Sequence, residues 1–274
     1  MARFIRSSRF TILAVALTLG LAVNAPTQVQ AQSKPSSLGS RLENAFRPPA
    51  GTGVPRNREG GGTRQGIDEF ASCIRGNESL IALVPTPRAE GEVGIGETAA
   101  EYPTVFWYMP KTAAPIVEFV LRDASKQEVY KVRYDLQKSP EGFTPSGLMS
   151  LTLPASAKLP PLQIGQVYHW ELALKCDPLD SSADIVAEGG IKRVQADPNL
   201  ALRIQQVSPE EQVVLYADKK LWYETLTALA KLQRDRPNDN NLVEAWNKLL
   251  ASVGLDSISD EPIVQGARTL TTTN

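Results

Sequence analysis

The chain has 274 residues, with 29 basic against 30 acidic, two cysteines and a single histidine. So even a balance excludes a nucleic-acid-binding surface, which needs clustered basic charge. Two cysteines without a Cys-x-x-Cys spacing exclude thiol redox catalysis. One histidine with two distant cysteines is a poor zinc set, because structural zinc takes four ligands in close pairs.

At the start, Arg3, Arg6 and Arg9 precede an uncharged apolar run from Phe10 to Val23. This is the layout of a signal peptide, and the run is short of the ~20 residues that a membrane span requires. Val29-Gln30-Ala31 supplies a small-residue cleavage site, so residues 1–31 are expected to be removed; a retained anchor is the alternative. Removal takes away three arginines and no acids, leaving 26 basic and 30 acidic residues and a formal charge of −4. The mature chain is expected to be exported, periplasmic or extracellular, with no transmembrane anchor after cleavage. Residues 32–66 are rich in Ser, Pro, Gly and Arg and predict a flexible leader, because they bury too little surface to offset their ordering entropy.

Short apolar runs split by turn residues begin near residue 79. Seven candidate strands follow: Ser79–Val84, Thr104–Met109, Pro115–Arg122, Gln127–Leu136, Gly147–Leu153, Gln166–Cys176 and Asp184–Val194. The stretch from Pro85 to Pro103 reads as a turn-rich connection with Gly91, Gly94 and Gly96, and Asp123-Ala124-Ser125-Lys126 as a hairpin loop. Tyr130, Val132, Tyr134 and Leu136 alternate with Lys131, Arg133 and Asp135, and Tyr168, Trp170, Leu172 and Leu174 share one face. Such alternation buries one face and leaves the other wet. Consecutive strands without helices between them predict antiparallel sheets.

The period changes near residue 197. Ser208-Pro209-Glu210-Glu211 is a helix start with Ser as N-cap and Pro in the first helical position. Trp222, Leu226 and Leu229 recur at helical spacing up to the breaker Arg236-Pro237-Asn238-Asp239. Leu242, Ala245, Trp246, Leu249, Leu250 and Val253 then form an amphipathic stripe that ends near Gly254. The expected fold is mainly β with α: an antiparallel β-sandwich, Ig-like in outline, over residues 67–196, with a C-terminal helical hairpin over 197–256 packed on it. Residues 257–274 predict a mobile, disordered tail.

Cys73 and Cys176 form the only possible intrachain pair. Their bridge would close a loop of about 100 residues and contribute ~4.7 kcal/mol in loop-entropy terms. Two buried free thiols are the other reading.

The candidate binding residues fall in two groups. Arg56, Arg58 and Arg64 surround Gly60-Gly61-Gly62, where backbone amides and guanidinium groups suit an anion or a docking partner; an arm folded onto its own sandwich is the plainer reading. Among the aromatic residues, Trp107 and Trp170 are expected inward. Phe106 and Tyr108 are expected outward, where they suit a partner or a sugar. His169 reads as a surface or edge histidine. No Gly-x-Ser-x-Gly elbow occurs, and no catalytic residue, cofactor site or metal site is expected.

Several short motifs occur in a distinctive order. They are Pro55-Arg56-Asn57-Arg58-Glu59-Gly60-Gly61-Gly62-Thr63-Arg64, Leu80-Ile81-Ala82-Leu83-Val84-Pro85, Thr104-Val105-Phe106-Trp107-Tyr108-Met109-Pro110, Tyr168-His169-Trp170, Cys176 and Gly189-Gly190-Ile191-Lys192-Arg193. In this order the chain resembles the cyanobacterial family of domain of unknown function 928 over roughly residues 50 to 255, with Gly190 standing where an aromatic residue is expected. The resemblance implies an exported protein and brings no activity, cofactor or catalytic residue. The functional expectation is a non-enzymatic binding module of the envelope or periplasm whose partner is an envelope protein or glycan. The alternatives are an accessory protein that docks through the C-terminal helices and a wall-glycan hydrolase that works through carboxylates.

Overall fold

The structure, a computed structural model, describes residues 37–48, 73–87, 92–155, 159–264 and, by backbone, 270–272. The expected signal peptide lies outside the described residues.

All seven expected strands are present: β1 (Ile81–Ala82), β3 (Thr104–Met109), β4 (Ile116–Arg122), β5 (Glu128–Leu136), β6 (Gly147–Thr152), β7 (Val167–Lys175) and β8 (Ile185–Arg193). Two more join them, β2 (Ile95–Thr98) and β9 (Leu270–Thr272). One sheet has the order β1-β3-β6, and the other β2-β8-β7-β4-β5-β9. Every pairing between these strands is antiparallel except β2 with β8. The fold is therefore mixed α and β, with two mainly antiparallel sheets. The hairpin between β4 and β5 turns at Asp123, whose carboxylate accepts from the N–H groups of Ser125 and Gln127, both at 2.9 Å, while Lys126 takes a positive φ of 64°.

Period-two burial holds on the larger sheet. Val117, Phe119 and Leu121 of β4 meet Tyr168, Trp170, Leu172 and Leu174 of β7 in the core. Trp170 stacks on Phe119 with ring centroids 6.0 Å apart. Opposite Trp170 in register stands Gly189, where a Cβ would lie 2.4 Å from the indole ring. The glycine is thus a steric requirement of the Trp170 side chain.

Three expectations need correction. First, Phe106 and Tyr108 are not outward: each is only 2 % exposed, and Val105, Trp107 and Met109 beside them are buried as well. The helix α4 (Trp222–Asp235) packs against β3, so this central strand has no wet face and reads as a continuous apolar run. Second, part of the leader is held. Residues Leu38–Leu42 form a short helix, α1, capped by Ser37, and Leu42 is fully buried. Leu38, Leu42 and Phe46 recur every four residues, which gives the segment an apolar stripe, and Phe46 meets Trp222 edge-to-face at 4.9 Å. Third, the tail beyond residue 257 is partly built in. Ile258 is fully buried, Ile263 bridges to Leu148 of β6, and β9 pairs with β5.

The helical part comprises α2 (Pro198–Ile204), α3 (Pro209–Asp218), α4 and α5 (Asn240–Ala251). Ser208 caps α3, accepting from the N–H of Glu211 at 3.2 Å, and Asp239 caps α5. Between α3 and α4, Lys220 takes a positive φ of 60°. The helix α1 packs on α3 and α5, with Arg41 making two hydrogen bonds to Glu211, at 2.7 and 3.3 Å. Among the described residues no helix is long and apolar enough to cross a membrane.

Cys73 and Cys176 are joined by a disulfide, which ties the segment before β1 to the end of β7. The fully buried Thr112 seals the same seam. Its hydroxyl donates to the Cys73 carbonyl at 2.9 Å and accepts from the Ala114 N–H at 3.0 Å.

The other face of the large sheet carries paired charges. Glu118, only 6 % exposed, meets Arg133, Lys131 at 3.2 Å and Lys175 at 3.7 Å, and Lys175 also pairs with Asp184 at 2.5 Å. Burial alone pushes the Glu118 carboxyl up. The hydrogen bonds from Arg133 and Lys131 outweigh it and hold the group below its ordinary value of 4.5.

Two outcomes are expected. Gly189→Ala should destabilise the fold by about 1–3 kcal/mol through overpacking against Trp170, read as a lower urea midpoint; an unchanged midpoint contradicts the packing described. Because Glu118 titrates lower in the folded chain, its contribution is full above the ordinary value and is lost as pH falls through the folded one. Glu118→Gln should therefore lose less stability than wild type as pH falls below 4.5, followed by thermal unfolding at each pH.

Candidate functional site

The first turn of α4 reads Trp222-Tyr223-Glu224, and each side chain reaches a different part of the β structure. The Trp222 indole N–H donates to the carbonyl of Leu83, just beyond β1, at 3.0 Å. The Tyr223 hydroxyl donates to the Gly190 carbonyl in β8 at 2.7 Å and accepts from the Trp170 indole N–H in β7 at 3.2 Å. Burial pushes the Tyr223 hydroxyl far up; the Trp170 donor opposes this and the Glu224 charge adds to it. One Glu224 oxygen, Oε1, accepts from the Thr98 hydroxyl at 2.8 Å, the Ala99 N–H at 2.8 Å and the Ala100 N–H at 3.0 Å. The close approach needs Gly96 in β2, where a Cβ would lie 2.8 Å from both the Trp222 and Tyr223 rings.

Beside this turn opens a cleft of about 360 Å³ between α3, α4 and the connection from β2 to β3. Its lining includes Tyr102, Pro103, Pro209, Tyr216 and Glu224. The second oxygen of Glu224, Oε2, is buried and has no hydrogen-bond partner. Burial pushes the Tyr216 hydroxyl up, and the nearby Glu224 charge acts in the same direction. At the rim, Lys231 and Asp235 pair at 2.5 Å.

The residues expected from the sequence do not converge on this cleft. Arg56, Arg58 and Arg64 lie outside the described residues. Phe106 and Tyr108 are core residues, with the Tyr108 hydroxyl near Ser146 and Glu261. His169 is exposed in β7, in register with Arg122 and Gly190. Cys73 and Cys176 do come together, as the disulfide.

Glu224 and Tyr216 went unrecognised because their helices read as packing elements. The donors to Glu224 lie more than 120 residues earlier, in a segment that reads as a connection. The available signal was a carboxylate in a helical first turn with no basic residue at i+3 or i+4 to pair with it.

Glu224→Ala should strand three donors and cost about 1–3 kcal/mol of stability, while Glu224→Gln, which keeps an acceptor at Oε1, should cost clearly less. Urea unfolding of both variants checks this, and equal costs would count against the capping role.

No curated protein matches the chain. A family model does match, over residues 59–263, about three quarters of the chain. The match takes in β1 to β8, α2 to α5 and the whole cleft, and it leaves out α1 and β9. On this evidence the chain belongs to the family described as Domain of Unknown Function (DUF928).

Proposed function

We propose that this chain is an exported, non-catalytic binding module of the cell envelope, and that it takes its ligand in the cleft between α3, α4 and the β2–β3 connection. The observation that carries the reading is the cleft itself. Its volume lies in the range of small-ligand sites, and its walls are set by buried anchors instead of by loops alone. The polar groups around it are largely spent on the fold: Thr98 bonds Glu224, Thr227 bonds the Tyr223 carbonyl, and Gln212 bonds the Ile204 carbonyl. Such a lining suits holding a molecule more than moving protons. The Cys73–Cys176 bridge supports export, since disulfides persist in oxidising compartments. The Arg-led apolar start of the chain supports it too. In this reading the two sheets stack as a sandwich, Ig-like in outline, and the helices close one side of it.

The tagged full chain, recovered from the periplasmic fraction, is expected to retain an envelope component whose yield falls when Ala228→Phe fills the cleft. Two results would overturn the proposal: precursor in the cytosol with Met1 attached and both thiols reduced, or capture that is indifferent to the filled cleft.

A further inference from the structure

The hydrogen-bonding inventory of the cleft is lopsided. Four of its donors are already committed: Thr98 to Glu224, Thr227 to the Tyr223 carbonyl, Gln212 to the Ile204 carbonyl and Tyr102 to the Leu159 carbonyl. Beside the Tyr216 hydroxyl and the Lys231 ammonium, what remains is acceptor capacity, chiefly the unpartnered Oε2 of Glu224. The charge is lopsided as well. Lys231 is matched by Asp235, which leaves the Glu224 charge in excess. No ion pair reaches Glu224 among the described residues. Three donors hold Oε1 in place, so the carboxylate cannot swing out to water without releasing them. Its charge therefore stays in the cleft lining, where the partly buried setting strengthens attraction for a cation in the opening.

The walls narrow the choice further. Tyr102 and Tyr216 offer ring surfaces, and Pro103 and Pro209 offer apolar ones. Aromatic rings beside a carboxylate favour an organic cation, whose charge the rings also attract. A hard metal ion would need six or more oxygen ligands, which rings and prolines do not supply.

We propose that the cleft binds an organic monocation with N–H donors on a compact apolar body. The group is a primary ammonium or guanidinium, free or at the tip of a lysine or arginine side chain. The proposal rests on the cleft being the ligand site and names the chemistry that it selects.

The test titrates the full chain with benzylammonium, its neutral counterpart benzyl alcohol, and benzyltrimethylammonium, which has the charge without N–H donors. Calorimetry gives affinity, and the amide resonances of Ala99 and Ala100 report locally on Glu224. Benzylammonium should bind saturably and shift both resonances. The other two probes should bind about tenfold more weakly or not at all, the worth of one charged hydrogen bond. Glu224→Gln, shown by circular dichroism to be folded at the assay temperature, should weaken benzylammonium by a similar factor. No binding, equal binding of benzyl alcohol, or unaltered affinity in Glu224→Gln would overturn the proposal. A blocked tripeptide with central lysine that competes with benzylammonium assigns the cation to a polypeptide; failure to compete assigns it to a free amine. If Ala228→Phe abolishes envelope capture while no amine binds, the binding module stands and the ligand class falls. If amines bind through Glu224 while capture ignores the filled cleft, the reverse holds.

Discussion

The three side chains of the first turn of α4 join the helices to the β structure. Trp222 is bonded to the chain just past β1, Tyr223 to β7 and β8 together, and Glu224 to the end of β2. The helix cap itself contributes little, since Leu221 in the N-cap position makes no side-chain bond. The geometry of the turn is therefore imposed from outside, by partners it reaches in the sheets. Two glycines make the approach possible. Gly96 lets α4 lie against β2, and Gly189 leaves room for the Trp170 ring that donates to Tyr223. A buried polar chain of this kind costs little only when every member is satisfied, and here Trp170, Tyr223 and Gly190 satisfy one another.

That turn also creates the cleft. Glu224 holds the Thr98–Ala100 backbone, and the cleft opens between the β2–β3 connection, α3 and α4. The structural role and the proposed binding role fall on one carboxylate, one oxygen serving the fold and the other left over. On the charged face of the large sheet, charge is handled differently. Glu118 is buried but surrounded by Lys131, Arg133 and Lys175, so its charge is neutralised within the sheet face. The contrast between a buried acid matched by cations and a partly buried one with an unpartnered oxygen is what singles out Glu224.

Some features were legible because their causes are local. The hairpin at Asp123 follows from an Asp that bonds the N–H groups of Ser125 and Gln127, and the Ser208 cap follows from the residues beside it. The stripes of β4, β5 and β7 follow from sheet faces that are buried on one side. Others were not. The strand β2 is short, carries Gly96, and pairs in parallel with a strand more than ninety residues away, so neither alternation nor turn chemistry marks it. Phe106 and Tyr108 misled because alternation assumes a wet face, and β3 has none. The helix α1 sits in a stretch whose average composition suggests disorder, although Leu38, Leu42 and Phe46 are spaced to dock.

The sequence by itself determined seven strands, the main helix boundaries and the one possible cysteine pair, because spacing, capping and count are properties of neighbours along the chain. Only the tertiary structure decided which strands share a sheet, that β3 is covered on both faces, and that Glu224 lines a cleft with one oxygen spare. Those outcomes depend on long-range partners, and no local pattern encodes which distant backbone donor a buried side chain will meet.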